Sequence, residues 1–224
     1  MTEKHDHQEF RDLILLATLP HVVFEGWSAS AMEQGAADFP ELGDKAAERA
    51  FPGGPADLAA HFADWADRRM LAEMEKLDIE SMRVRDRIAA GVRLRLQVLS
   101  PHREAIRRML AFLALPGHAG LALKATYNTS SAIWYAAGDE STDFNFYTKR
   151  GLLAPVLVST TLYWMSDAGD ENGDTPDTWD FLDRRIGDVL KIPPLKARIS
   201  NRLSQMPSPF KVYKRFAEAV QARR

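Results

Sequence analysis

The apolar residues of this chain recur almost everywhere at three- and four-residue spacing, the period of an α-helix. In residues 55–77, for example, Leu58, Phe62 and Trp65 fall on one side of a helix. No segment shows the alternation of apolar and polar residues that a half-buried strand requires. The sequence therefore predicts an all-α protein of about ten helices.

Capping residues, prolines and glycines mark where these helices begin and end. Ser28 or Ser30 is expected to cap the second helix, Asp44 the third and Thr175 the ninth. Pro155 lies inside a helix and predicts a kink there. The predicted helices are 8–24, 28–39, 44–51, 55–77, 81–99, 101–115, 118–137, 142–166, 176–191, 194–206 and 208–222. We divide them into a head (1–54), a helical bundle (55–192) and a basic tail (193–224).

The residues that most kinds of catalysis need do not form a recognisable pattern. The 224 residues include no cysteine, which excludes disulfides, thiolate nucleophiles and cysteine zinc sites. The histidines are scattered, and no GxSxG, P-loop or GxGxxG motif occurs. The acidic segment DAGDENGDTPD lacks the ligand spacing of an EF-hand and is interpreted as a solvated turn. We therefore predict no enzyme activity, no catalytic residue, no metal and no cofactor.

Charge is distributed unevenly along the chain. Residues 1–60 carry eleven acidic and four basic side chains, whereas residues 191–224 carry one acidic and nine basic ones. The first helices, with the turn FPGGP before residue 57, look like a TetR-type helix-turn-helix head. A DNA-reading head needs lysines and arginines to neutralise phosphates. The architecture favours a repressor and the charge opposes DNA binding, so we predict that no nucleic acid is bound.

Residues 105–165 are rich in small and apolar side chains. At helical spacing, small side chains leave either a close-packed core or an elongated apolar cavity that binds a ligand. The tail is also open to two interpretations. Its helices are basic and amphipathic, so they either dock on the bundle or lie on an anionic membrane surface. The membrane interpretation assigns contacts to Phe210, Lys211, Tyr213, Lys214 and Arg215.

The segment AGDESTDFNFYTKRGLL (137–153) opens a helix with an unusual face. Asp143, Phe146, Tyr147 and Arg150 recur at helical spacing, which mixes two aromatic rings with a carboxylate and a guanidinium. Aromatic residues and arginine are typical of protein–protein hot spots. The alternative is a helix start that is half-buried against a neighbour. In the hot-spot interpretation the opposite face, Phe144, Thr148, Leu152 and Pro155, points to the core.

The stretch AGDESTDFNFYTKRGLLAPVLVSTTLYWMSD, followed by DTWDFLDRRIGDV, resembles the family of the ninth coenzyme Q biosynthesis protein. The turn FPGGPADL fits the same family, and the likeness covers about residues 10–192. The resemblance implies a TetR-like homodimer that does not bind DNA and lacks catalytic activity. It further implies an accessory of ubiquinone synthesis that binds isoprenoid quinone precursors and presents them to the di-iron demethoxyubiquinone hydroxylase. The alternative function is a TetR-type ligand-responsive transcriptional regulator.

The resemblance also assigns roles to residues. The hydroxylase contact is expected at Asp143, Phe146, Tyr147 and Arg150, although many relatives have Trp where this chain has Phe146. Lipid contact is predicted for Met109, Leu113, Ala122, Ala125, Thr129, Ile133, Leu157 and Trp164. A dimer interface is predicted for Leu157, Thr161, Thr178, Trp179, Leu182, Ile186 and Val189. The absence of a transit peptide predicts a cytoplasmic protein, peripheral at the inner face of a bacterial membrane.

Overall fold

The computed structural model of the chain describes residues 2–139, 144–171 and 173–191. These residues form α-helices joined by turns and short 3-10 helices, and no strand occurs among them. The prediction of an all-α fold is confirmed. The helices are α1 (Thr2–Glu25), α2 (Ala29–Ala37), α3 (Ala46–Ala50), α4 (Gly54–Met74), α5 (Val84–Leu99), α6 (Arg103–Leu113), α7 (Ala119–Ala136), α8 (Phe144–Ser166) and α9 (Pro176–Lys191). The predicted helices over 194–206 and 208–222 lie outside the described residues.

The predicted cap is present at α2 and differs at α3, while α9 begins at Pro176, directly after Thr175 as predicted. Ser28 caps α2 as predicted, since its hydroxyl accepts a hydrogen bond from the N–H of Ala31 at 3.2 Å. The prediction that Asp44 caps α3 is wrong, because Lys45 takes the N-cap position with a φ of 62°. At α9 the carboxylate of Asp167 accepts the N–H of Thr178 at 3.0 Å. This long-range cap anchors α9 to the end of α8.

The head is organised around α1, whose inner face is fully buried. Ile14, Leu15 and Val22 lose all of their exposed surface there. α2 packs so closely on α1 that a Cβ on Gly35 would lie 2.6 Å from Oγ1 of Thr18. The indole N–H of Trp27 donates to the carbonyl of Ala105 at 3.1 Å. The head is thereby joined to the start of α6.

In the bundle, α4 lies between α5 and α7, and α7 also packs against α8. Phe62, Met70 and Met74 of α4 are fully buried at the centre of this arrangement. The chain up to Ile186 forms one compact unit, so the head and the bundle share a continuous core. Residues 187–224 form a second unit, of which the structure describes only the last turn of α9.

Candidate functional site

An apolar cleft of about 280 Å³ lies between α4, α5, α6, α7 and α8. It exists because α7 places small side chains, Ala122 and Ala125, opposite the longer Met109 and Leu113 of α6. The cleft is open to solvent on one side, where Val158 of α8 is half exposed. Its walls are formed by Phe62, Ala63, Arg95, Leu99, Ile106, Met109, Leu110, Leu113, Ala114, Ala122, Ala125, Thr126, Thr129, Leu157, Val158 and Thr161.

The structure brings six of the predicted lipid-contacting residues together in this cleft: Met109, Leu113, Ala122, Ala125, Thr129 and Leu157. The other two are elsewhere, so their assignment has to be revised. Ile133 is fully buried, one turn farther along α7, where its side chain fills the space beside Gly91. Trp164 is buried under the guanidinium of Arg103, whose Cζ lies 5.0 Å from the ring centroid. Both side chains stabilise the bundle.

Sequence reasoning missed the wall of the cleft that α4 and α5 provide. Arg95 is the most informative omission. It occupies the stripe of α5 that also contains Ile88, Val92 and Leu99, which are all buried. A charged residue at a position of an apolar helical stripe is a detectable signal, because such a residue must find a partner when buried.

Arg95 finds that partner in Asp67 of α4. Its Nε donates to Oδ1 of Asp67 at 2.7 Å, and the hydroxyl of Thr129 donates to both carboxylate oxygens at 2.9 Å. Burial raises the pKa of Asp67, while the charge of Arg95 and the two hydrogen-bond donors oppose that rise. The wall of an otherwise apolar cleft therefore contains a polar cluster, which we call the Arg95 cluster (Arg95, Asp67 and Thr129).

The corner between α7 and α8 contains the segment in which a partner surface was predicted. Tyr147 is exposed there, at 65% of its full surface. Arg150 is buried, and its guanidinium donates to Oδ2 of Asp139 at 3.2 Å and to the hydroxyl of Ser131 at 3.0 Å. Arg150 therefore does not share the exposed face of Tyr147, and the predicted four-residue surface has to be corrected at this position. Asp143 and the side chain of Phe146 lie outside the described residues.

Most of the residues predicted for a dimer interface are already covered within one chain. Thr178, Leu182 and Ile186 are buried in the bundle, and Leu157 and Thr161 line the cleft. Thr178, Leu182, Ile186 and Leu157 have almost no exposed surface to lose on association, so their assignment to an interface has to be revised. Thr161 is half-buried, and its assignment stays a prediction. Trp179 is half-buried below Arg93, whose Cζ lies 4.9 Å from the ring centroid. Val189 is half-buried, and the solvent side of α8 exposes Val158 and Leu162 instead.

Three basic side chains of the head, Arg11, Lys45 and Arg49, have acidic or carbonyl partners. Arg11 pairs with Asp57 at 2.6 Å, and Lys45 pairs with Glu48 at 3.5 Å. Arg49 donates to the carbonyls of Asp44 and Leu42. The cations of the α3 region thus lie beside acidic or carbonyl groups of the same chain.

In the described ranges, no group of three or more His, Asp or Glu side chains is placed to hold a metal ion. Within the same ranges, no single helix is long and apolar enough to cross a bilayer. The segments 84–113 and 116–136 reach the required length and apolar composition only when taken together, and they are bent by 101° relative to each other. The tail residues predicted to bind a membrane lie outside the described part of the chain.

The sequence of this chain is similar to those of known proteins. Residues 119–193, which include α7, α8 and α9, match the COQ9 family model. Over 201 residues the chain is 33% identical to the mitochondrial ubiquinone biosynthesis protein COQ9 of Rattus norvegicus and of Homo sapiens, covering 85% of this chain. That alignment covers 62% of the rat protein and 61% of the human protein. The chain thus spans about three fifths of the length of these relatives.

The fold of this chain is similar to that of a solved structure over most of both chains. A TetR transcriptional regulator from Nitrosomonas europaea superposes with a TM-score of 0.62 at 21% identity, covering 80% of this chain and 97% of that one. At this level of identity the match concerns the fold alone. The predicted TetR-like fold is confirmed by it.

Proposed function

We propose that this chain, which is 33% identical over 201 residues to the COQ9 ubiquinone biosynthesis proteins of rat and human, is a non-catalytic accessory protein of ubiquinone synthesis. In this role it holds an isoprenoid quinone precursor in the cleft and presents it to the di-iron demethoxyubiquinone hydroxylase. The observation that carries the proposal is the apolar cleft itself, where residues predicted for lipid contact on α6, α7 and α8 meet.

The cleft supports an isoprenoid ligand on energetic grounds. Burial of an apolar chain contributes about 0.8 kcal/mol per CH₂ group. A few five-carbon units therefore contribute several kcal/mol, which offsets much of the cost of association. At about 280 Å³, the cleft is near the lower end of the range of about 300–1,000 Å³ for ligand pockets. It accommodates part of a long chain, with the remainder lying along the open side.

The position of the α7–α8 corner supports presentation to an enzyme. Tyr147 lies in the first turns of α8, and Leu157 lines the cleft ten residues farther along the same helix. At about 1.5 Å of rise per residue, the two positions are about 15 Å apart along the axis. An enzyme docked on Tyr147, with Asp143 and Phe146 nearby in sequence, would have its active site within reach of a lipid head group.

The proposed role also includes a homodimer and a contact with the membrane. We propose a homodimer, formed through exposed apolar residues of the last two bundle helices. The basic tail, with Phe210, Lys211, Tyr213, Lys214 and Arg215, holds the protein at an anionic membrane surface, so that hydrophobic precursors need not cross water. For a bacterial source this is the inner face of the membrane, whereas the curated relatives are described as mitochondrial.

The TetR-like fold favours a second candidate, a ligand-responsive transcriptional regulator. That role needs cations free to contact phosphates on the head. Arg11, Lys45 and Arg49 are instead engaged with acidic or carbonyl groups, so the accessory function has more support.

Native mass spectrometry of the purified protein, with extraction and identification of the ligands that co-purify, tests the proposal. An isoprenoid quinone or precursor bound to the protein is the expected result. Protein that is reproducibly free of lipid and binds its own upstream DNA with high affinity would contradict it and favour the regulator.

A further inference from the structure

We propose that Arg95 binds an acceptor oxygen on the ligand's head group, so that the cleft selects an isoprenoid with a neutral, oxygen-bearing head over a hydrocarbon of the same length. Quinones, which accept through a carbonyl oxygen, and phenols, which accept through the hydroxyl oxygen, belong to this class. The inference rests on the proposed function, because it concerns which lipid the cleft holds.

Arg95 has hydrogen-bond donors that the described part of the protein leaves unused. A guanidinium has five N–H donors. Within the described residues, the one protein acceptor of Arg95 is Asp67, which receives the Nε hydrogen. The side chain is 16% exposed and lines the cleft. Unused donors beside an otherwise apolar wall are costly when a hydrocarbon covers them, whereas a ligand oxygen satisfies them.

The guanidinium of Arg95 is held in place by two neighbouring helices. Asp67 is buried in α4 and fixes the Nε edge of Arg95, while Thr129 of α7 fixes the carboxylate through two hydrogen bonds of 2.9 Å. Three helices thus orient one donor group before any ligand arrives. Preorganised donors add affinity because little side-chain entropy remains to be lost on binding.

The charges of the Arg95 cluster favour a neutral head group over an anionic one. Arg95 and Asp67 face each other at 2.7 Å, so their charges largely cancel at the wall of the cleft. A phosphate or carboxylate would have to give up its water for a site with little net positive charge. A carbonyl or hydroxyl oxygen has a smaller desolvation cost and still accepts a hydrogen bond from a charged donor. The neutral class of head group is favoured for this reason.

The experiment compares two probes, a tetraprenyl benzoquinone and a tetraprenyl hydrocarbon of the same chain length, by equilibrium binding to the full chain. Arg95→Met should weaken quinone binding at least tenfold, since a charge-assisted hydrogen bond is lost. Hydrocarbon binding should stay within about twofold, because the methionine preserves the apolar wall. Arg93→Met is the matched control, since Arg93 is exposed two residues earlier on α5, outside the cleft.

A second variant distinguishes a loss of ligand binding from misfolding. Arg95→Met leaves the buried carboxylate of Asp67 without its cation, so the double change Asp67→Asn with Arg95→Met supplies a charge-neutral wall. It should show the same selective loss of quinone binding. Unchanged quinone affinity in both variants, or wild-type protein that binds the two probes equally, would overturn the inference. Wild-type protein that binds neither probe would contradict the proposed function itself.

Discussion

Arg150 and Asp139 form an ion pair with an Nη1–Oδ2 distance of 3.2 Å, and each side chain is only 3% exposed. Lys149 joins the same carboxylate at 2.6 Å, and its backbone carbonyl accepts the indole N–H of Trp134 at 3.0 Å. These contacts close the end of α7 onto the first turns of α8. The corner that displays Tyr147 therefore depends on a buried ionic cluster.

Arg150→Met should destabilise the protein by about 2 to 3 kcal/mol. Loss of one partner of a buried pair typically costs about 3–5 kcal/mol, and Lys149 reduces that cost by remaining beside Asp139. Chemical denaturation measures the change. Arg108→Met, at an exposed ion pair on α6, should stay within about 0.5 kcal/mol. Equal stabilities of the two variants would show that Arg150 does not hold the corner.

Tyr147→Ala should weaken binding of the di-iron hydroxylase at least tenfold while hardly changing the thermal midpoint. An exposed aromatic residue at an interface often contributes about 2 kcal/mol or more to binding, whereas truncation of a side chain that is 65% exposed in the folded chain removes little buried surface. Calorimetric titration gives the affinity. Tyr135→Ala, at an even more exposed tyrosine of α7, is the matched control. Similar affinities for both variants would remove Tyr147 from the interface.

Gly35→Ala should destabilise the head by about 1–3 kcal/mol through overpacking. The new Cβ would lie 2.7 Å from the backbone N and Cα of Thr18, so α1 and α2 must separate. Thr18→Ala should not rescue the variant, because the backbone contact remains. Gly151→Ala, inside α8 with no atom within 4 Å of the added Cβ, should instead stabilise by about 0.5–1 kcal/mol. Thermal denaturation compares the variants, and a harmless Gly35→Ala would refute the close contact.

Stability should fall as the pH is lowered below about 6.5, the usual pKa of histidine. Burial and the charge of Arg11 lower the pKa of His61, against the opposing hydrogen bond to Asp12, and burial lowers the pKa of His102. The unfolded chain therefore takes up these protons first, so stability is fully present above pH 6.5 and is lost as the pH falls through the folded pKa values.

Urea denaturation between pH 7.5 and 5.0 measures this dependence. His61→Gln should flatten the slope in part, because His102 still contributes. Asp12 also makes charged contacts with Arg68, which the substitution leaves in place. A slope identical to that of the wild-type protein would contradict the assignment to His61.

Periodicity in the sequence predicted the helices well because it reports which residues share a face. It does not report what covers that face. Leu182 and Ile186 were assigned to a dimer interface, although α9 buries them against its own chain. Arg150 was assigned to the surface for the same reason, since its partner Asp139 lies before the helix and outside the periodic pattern.

The cleft was predictable where small and large residues alternate in α6 and α7. The wall formed by α4 and α5 was not predicted, because those helices meet α7 only through the tertiary fold. Arg95 could have been found as a charge within an apolar stripe. Its partner Asp67, 28 residues away, could not be assigned from spacing alone.

The most direct test of the central claim is photoaffinity labelling with a tetraprenyl benzoquinone that bears a diazirine on its chain, followed by peptide mapping. The account predicts crosslinks on α6, α7 and α8 at residues that line the cleft, such as Met109, Leu113 and Leu157. Ala125→Phe, which fills the cleft, should abolish these crosslinks without affecting folding. Labels spread evenly over the surface, or labelling that persists unchanged in Ala125→Phe, would contradict lipid binding in this cleft.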